Sequence, residues 1–210
     1  MHHSQTRRAQ RGVSTGNAIL LVFLGLLLIA GTTLVGAYNR LMGLDEAATA
    51  QWSEVINQYQ RRSDLIPNLV EVTKQYAKHE EKVFSDIANA RSKLGSLQVN
   101  ANDPAALKQF QAAQGELGSA LSRLMAVSEN YPQLKANELF QNLQTQLEGT
   151  ENRITTARNR YIEQVQRYNT ARRVFPGNLV AGWAGLEARA NFSVENEAQI
   201  STAPKVNFGS

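Results

Sequence analysis

Apolar positions are continuous near the N-terminus of the chain and periodic after it. From Ala18 to Ala37 the chain reads AILLVFLGLLLIAGTTLVGA, twenty residues without a charge. As a helix rising about 1.5 Å per residue, this run spans about 30 Å, the hydrocarbon thickness of a bilayer. Backbone groups in lipid must be satisfied within the segment, which requires a helix. The pattern therefore predicts a transmembrane helix over 18–37, preceded by a basic tail over 1–17.

Four helical patterns follow the apolar run. The first covers about Leu44 to Ser63, with apolar residues at three- and four-residue steps that line one helix face. Pro67 then predicts a helix that restarts near Ile66 with Asp64 as its cap, because proline is tolerated in a first turn. A kinked continuation of the first helix is the alternative.

The second pattern continues from Leu65 to Leu97 and carries His79 on its apolar stripe. The third begins at Asp103-Pro104, a cap followed by proline at the first helical position, and stops before Pro132. The fourth runs from about Leu134 to Val174. Its stripe consists of Phe140, Leu143, Leu147, Thr150, Ile154, Ala157, Tyr161, Val165 and Tyr168.

Strand signals are absent, so the predicted fold is all-α. Short connections favour antiparallel neighbours and an up-down-up-down four-helix bundle over 38–192. The fourth helix then returns toward the membrane, which places a C-terminal flap (175–192) near the bilayer surface. The flap either caps the bundle or contacts the lipid interface or a neighbouring subunit through Leu179, Trp183 and Leu186. We expect a flexible tail over 193–210.

The positive charge of the chain lies at the membrane flank. Net charge is +4 and the isoelectric point about 9.5. Arg7, Arg8 and Arg11 precede the span, which leaves 19 basic residues against 18 acidic ones and argues against nucleic-acid binding. The positive-inside rule predicts a cytoplasmic N-terminus at the inner membrane and a periplasmic or extracellular bundle. A signal peptide cleaved before Tyr38 is the alternative, although its apolar region is usually only about 7–15 residues long.

Motifs for catalysis or ligand binding are absent from the sequence. Cysteine is missing, and in His79-Glu80 the second histidine of a zinc motif is replaced by Val83. His79 is expected to be a core histidine. We predict no catalytic, cofactor-binding or metal-binding residues and no small-molecule substrate, hence no enzyme.

One polar cluster, Arg61, Arg62 and Asp64, interrupts the apolar stripe beside Pro67. The three side chains form a local ion-pair and capping lock, or they present guanidinium groups to a partner's carboxylates or carbonyls. The structural role is the favoured interpretation.

Long segments of the chain resemble the LemA family of bacterial membrane proteins. They are Leu44–Glu46, Trp52, QRRSDLIPNLV (60–70), YAKHE (76–80) through Phe84, SENYP (128–132), LKAN (134–137), TENRI (150–154), Arg172, Phe175–Pro176 and NLVA (178–181). The resemblance implies an N-terminal anchor and a four-helix bundle, and it carries over no catalytic or ligand residue. Ile162, Leu186 and Ser193 depart from the family pattern, which leaves the detail of the flap open.

Together these features predict a membrane-anchored envelope protein. Its bundle is expected to act as a scaffold or assembly module that forms homo-oligomers or binds an envelope protein, in contact with the lipid bilayer. A regulatory adaptor of a signalling or proteolytic membrane partner is the alternative.

Overall fold

A computed structural model describes residues 15–97 and 99–192. The predicted flexible tail and most of the predicted basic tail, including its three arginines, lie outside these ranges. All regular structure within the described ranges is helical, which confirms the all-α prediction. The elements are α1 (Thr15–Tyr76), α2 (Glu81–Ser96), α3 (Pro104–Ser128), α4 (Pro132–Lys135), α5 (Glu138–Arg173) and α6 (Gly177–Ala184).

The first helix combines the apolar span and the first bundle helix in one element. α1 has 62 residues, about 93 Å, and passes through Pro67 without interruption. The predicted restart near Ile66 is therefore wrong, and α1 continues through this position. Pro67 lies on the exposed face, while Ile66 and Leu69 are buried on either side of it. Packing of these neighbours outweighs the backbone hydrogen bond that proline removes.

The chain reverses ten residues later, at a turn over 77–80 that contains neither glycine nor proline. Here Glu80 N–H donates to the carbonyl of Ala77 at 3.3 Å. The predicted second helix is thus divided between the end of α1 and α2. His79 lies in this turn and is exposed, so the expected core histidine is wrong. The reversal lets Phe84 and Ile87 pack back onto the Ile66–Val72 face of α1.

Capping residues set the start of the next two long helices. Asp103 accepts hydrogen bonds from the N–H groups of Ala105 and Ala106 at 2.8 and 3.3 Å, which confirms the predicted cap. Asn137 caps α5 by accepting from Phe140 N–H at 3.0 Å, so the predicted fourth helix begins with the short, separate α4. All nine predicted stripe positions of α5 are buried.

Cross-helix contacts establish the directions of the four long helices. α5 runs antiparallel to α1, since Tyr76 contacts Asn137 and Arg62 contacts Glu151 further back along both helices. α2 and α3 are antiparallel by their ion pairs, Lys93–Glu116 and Asp86–Arg123. α1 and α5 therefore form one antiparallel pair, and α2 and α3 form another.

The core has three layers along the α1–α5 axis. The far layer joins all four long helices around Leu69, Phe84, Leu124 and Phe140. The middle layer is rich in aromatic side chains, and α3 contributes Phe110 to it. In the layer nearest the apolar span, α2 and α3 are absent, and Val180 and Ala181 of α6 pack on Leu41 and Tyr168 instead. The C-terminal flap thus completes the core at the membrane end.

Candidate functional site

The membrane end of the bundle carries a short apolar unit, residues 174–184, which we term the foot. It contains α6 and the turn that leads from α5 into α6. Gly177 is required in this turn because a Cβ there would collide with the carbonyl oxygen of Ala171. At the other end Gly185 adopts the left-handed conformation, with φ of 65°, and reverses the chain. The first half of the C-terminal flap is therefore helical.

An apolar groove separates the foot from the last two turns of the predicted span. On the α1 side its walls are formed by Leu34, Val35 and Tyr38, and on the α6 side by Leu179 and Trp183. The groove is open to its surroundings and has a volume of about 910 Å³. Leu179 is 56% exposed and Trp183 87% exposed, although both belong to a helix whose other face is buried.

A second, smaller groove lies on the other side of the contact between foot and α1. Phe175 and Val174 line it together with Gly36, Ala37 and Arg40. Phe175 is 76% exposed. Large apolar side chains of the foot are therefore exposed on both sides of α1, at the depth where the span ends.

The residues that follow the foot, 186–192, form an extended segment that we term the strap. Side chains of α5 hold its backbone: Arg172 Nε donates to the Leu186 carbonyl at 2.7 Å, and the hydroxyls of Tyr168 and Tyr161 donate to the Glu187 and Ala190 carbonyls at 3.0 Å. Leu186 is half-buried against the membrane-end core. It contributes to packing, in contrast to exposed Leu179 and Trp183.

A polar contact ties the strap to α1 as well. Arg189 Nε donates to Asp45 Oδ1 at 2.6 Å, and its Nη2 donates to Thr49 Oγ1 at 2.7 Å. The side chain of Arg189 is 8% exposed and that of Asp45 30% exposed, so water screens this pair only in part. Asn169 completes the attachment with two 3.0 Å hydrogen bonds to the backbone of Arg189.

The electrostatics of the strap agree with this packing. Burial raises the pKa of Tyr168 above its ordinary value of 10.0, and the Asp45 carboxylate adds to the effect. Burial likewise raises the pKa of Tyr161. The hydrogen bond to Asp45 raises the pKa of Arg189. The tyrosines therefore stay neutral donors and Arg189 stays charged over the physiological pH range.

The cluster Arg61, Arg62 and Asp64 is divided between the inside and the outside of the bundle. Arg62 is 4% exposed, and its guanidinium donates to Glu151 Oε1 at 2.7 Å and to the side-chain and backbone oxygens of Gln114. Arg61 and Asp64 are exposed, and Asp64 accepts from Gln60 Nε2 at 2.8 Å. Asp64 is therefore no helix cap, and Arg62 links three helices rather than facing a partner.

Three further segments of the family resemblance, YAKHE (76–80), SENYP (128–132) and LKAN (134–137), meet at the end of the bundle farthest from the span. Tyr131 donates to Glu80 Oε1 at 3.3 Å, and Asn137 donates to the hydroxyl of Tyr76 at 3.1 Å. These contacts hold the α1–α2 turn against the α3–α5 connection. Within residues 15–97 and 99–192, no group of three or more His, Asp or Glu side chains is placed to hold a metal ion.

Sequence reasoning missed the attachment of the strap. Asp45 and Arg189 are 144 residues apart, and no periodic pattern links them. The available signal was Arg172, Tyr168 and Tyr161, polar groups on the buried stripe of a helix that need partners when buried. The backbone carbonyls of the strap are the acceptors that these groups find.

Comparison with known proteins gives one family and several similar proteins. The chain matches the LemA family over residues 51–208. Magnetosome proteins MamQ 1 and MamQ 2 of Paramagnetospirillum magneticum are each 29% identical to it, over 91% of this chain and 76% of theirs. Magnetosome protein MamQ of Magnetospirillum gryphiswaldense is 29% identical over 74% of this chain and 64% of its own.

Proposed function

The chain belongs to the LemA family, and from that membership we propose that it is a non-enzymatic scaffold of the bacterial envelope. It assembles with itself or with membrane proteins through its helical bundle. One observation carries the proposal: α1 continues from the apolar span to the far end of the bundle as a single helix. From Tyr38 to Tyr76 this helix extends about 57 Å. A partner bound along it would be held at a set distance from the bilayer.

The surface of the bundle supports a contact through polar groups. Beyond the span, and among the described residues, the exposed large hydrophobic side chains are those of the foot together with Tyr38, Met42 and Leu139. The sides of the bundle are therefore polar. Arg61 is exposed on α1 midway along the bundle, and its guanidinium is suited to a partner's carboxylates or carbonyls.

Assembly is testable by mass. The full chain, extracted from membranes in lipid nanodiscs, is expected to elute as a homogeneous oligomer whose protein mass is a multiple of 23.2 kDa. Arg61→Glu is expected to shift the elution to smaller masses, because charge reversal repels the carboxylates that Arg61 meets. Arg160→Glu, at an exposed arginine of α5, is the matched control and should leave the mass unchanged.

Other outcomes of this measurement would change the proposal. A monomer of the wild-type chain contradicts self-assembly. A monomer together with one foreign membrane protein in fixed ratio favours the regulatory adaptor, the alternative function.

We also propose that the anchor is retained, with its N-terminus in the cytoplasm of the cell and the bundle outside the inner membrane. Three arginines before the span support this orientation. The continuity of α1 from the span into the bundle, and the packing of Ala37 against the membrane-end core, support retention. Protease added to intact spheroplasts is expected to digest the bundle while a cytoplasmic marker protein survives. Digestion only after lysis would place the bundle in the cytoplasm.

A further inference from the structure

Beyond the span, most of the exposed large hydrophobic side chains among the described residues belong to the foot, and we propose that phospholipid occupies the groove beside it. In this proposal the groove between α6 and the end of the span holds acyl chains of the leaflet on the bundle's side. Trp183 and Leu179 are then embedded in that leaflet. The foot thereby sets the orientation of the bundle relative to the bilayer. The proposal holds for any assembly state of the chain.

The first argument is continuity with the span. One wall of the groove consists of α1 residues between Gly31 and Tyr38, the last two turns of the apolar run. No part of the most apolar window of that run is buried within the protein. If the run crosses a bilayer, the groove opens directly into the hydrocarbon, and the molecules available to fill it are lipids.

The second argument is depth. Gly31 and Tyr38 are seven residues apart, so the groove extends along α1 for about 10 Å. Interfacial helices bury their apolar face about 5–10 Å below the headgroups. Trp183 lies beside this stretch, and tryptophan favours the boundary between headgroups and acyl chains.

The third argument is the distribution of the exposed apolar side chains around α1. Leu179 and Trp183 lie beside one groove, and Phe175 lies beside the other, across the contact between foot and α1. A single protein partner would require one contiguous face, whereas lipid surrounds an anchor on all sides. Arg40, which also lines the second groove and follows the span by three residues, is placed to meet a lipid phosphate.

The chain contains its own reporter pair for this proposal. Trp52 and Trp183 are its only tryptophans. Trp52 packs between Phe110 and Tyr161 in the middle core layer, about 21 Å along α1 beyond Tyr38. Trp52→Phe isolates Trp183, and Trp183→Phe isolates Trp52 as the matched control.

The experiment reconstitutes the full-length chain in phosphatidylcholine vesicles brominated near the top of the acyl chain. Emission of Trp183 is expected to fall by about half or more relative to unbrominated vesicles, whereas emission of Trp52 stays nearly constant. Emission of Trp183 should also resist iodide added to the water. If Trp52→Phe does not fold, the emission that Trp183 loses is obtained by difference. It is the emission lost by the wild type in brominated vesicles minus the emission lost by Trp183→Phe.

Two results would overturn the proposal. Trp183 that is quenched by iodide but not by brominated lipid lies in water. Trp183 that is quenched by neither is covered by protein, and a second copy then fills the groove. Mass measurement of assembly is independent of this result, so failure of the lipid site leaves the scaffold proposal to its own test.

Discussion

Tyr161→Ala is expected to lower the free energy of unfolding by about 4 kcal/mol, because large-to-small changes at buried aromatic sites leave a cavity. Tyr161 is 0% exposed. Its ring centroid lies 5.3 Å from that of Trp52 and 5.5 Å from that of Phe192, so the truncation opens contacts with both α1 and the strap. The alanine variant also loses the hydroxyl that holds the Ala190 carbonyl.

Two further variants separate packing from the hydrogen bond at Tyr161. Tyr161→Phe keeps the ring and is expected to cost about 1 kcal/mol, the usual net value of one hydrogen bond. Arg160→Ala, at the exposed neighbouring position, should change stability by less than about 0.5 kcal/mol. Chemical unfolding of the full chain in nanodiscs, followed by near-ultraviolet circular dichroism, measures all three. An alanine variant as stable as Tyr161→Phe would contradict the packing argument.

The phenylalanine variant also carries a pH signature. Because burial raises the folded-state pKa of Tyr161 above 10.0, the folded protein keeps the hydroxyl proton more firmly than the unfolded chain does. The resulting stability is fully present below pH 10 and is lost as pH rises through the raised pKa. The difference in stability between wild type and Tyr161→Phe should therefore shrink above about pH 10.

Arg62→Ala is expected to cost about 3 kcal/mol, at the lower end of the range for removing one partner of a buried ion pair. The lower end applies because the side chain of Glu151 is 47% exposed, so water screens that half of the pair. Most of the loss comes from Gln114, whose buried side-chain oxygen loses its donor, and from the space left beside the Tyr59 ring.

Single variants at the neighbouring positions test this assignment. Glu151→Gln retains an acceptor for Arg62 and is expected to cost about 1 kcal/mol. Arg61→Ala is the matched control on the same helix and should change the free energy of unfolding by less than about 0.5 kcal/mol. Equal stability of Arg62→Ala and wild type would show that Arg62 does not hold the helices together. A double substitution of both arginines would confuse unfolding with loss of partner contact, so each arginine has to be changed alone.

The candidate interaction residues illustrate which inferences a sequence supports. Arg61 and Arg62 are adjacent and chemically identical, and only helix phase against α3 and α5 makes one a surface group and the other a core group. Leu179 and Leu186 are likewise similar in sequence context. α6 exposes Leu179, whereas the chain reversal at Gly185 returns Leu186 to the core. Residue type alone could not separate the members of either pair.

The boundaries of the helices show the same division. Asp103-Pro104 was readable because a cap and an N-terminal proline act within one turn of chain. Pro67 was misleading because its cost is local, whereas the packing that overrides it comes from α2, α3 and α5. The turn at 77–80 has no local sequence signal, because its position depends on the packing of α2 against α1.

The sequence by itself determined the apolar span, the all-helical class and the buried stripe of α5. Each of these depends on residue type at short, regular spacing, which backbone geometry converts directly into a helix and its faces. The tertiary structure alone decided that span and bundle share one helix, that Arg62 is internal, and that the strap joins Arg189 to Asp45. It also decided that Trp183 lies beside the end of the span. These features depend on contacts between residues distant in the chain, where packing free energy outweighs local preference.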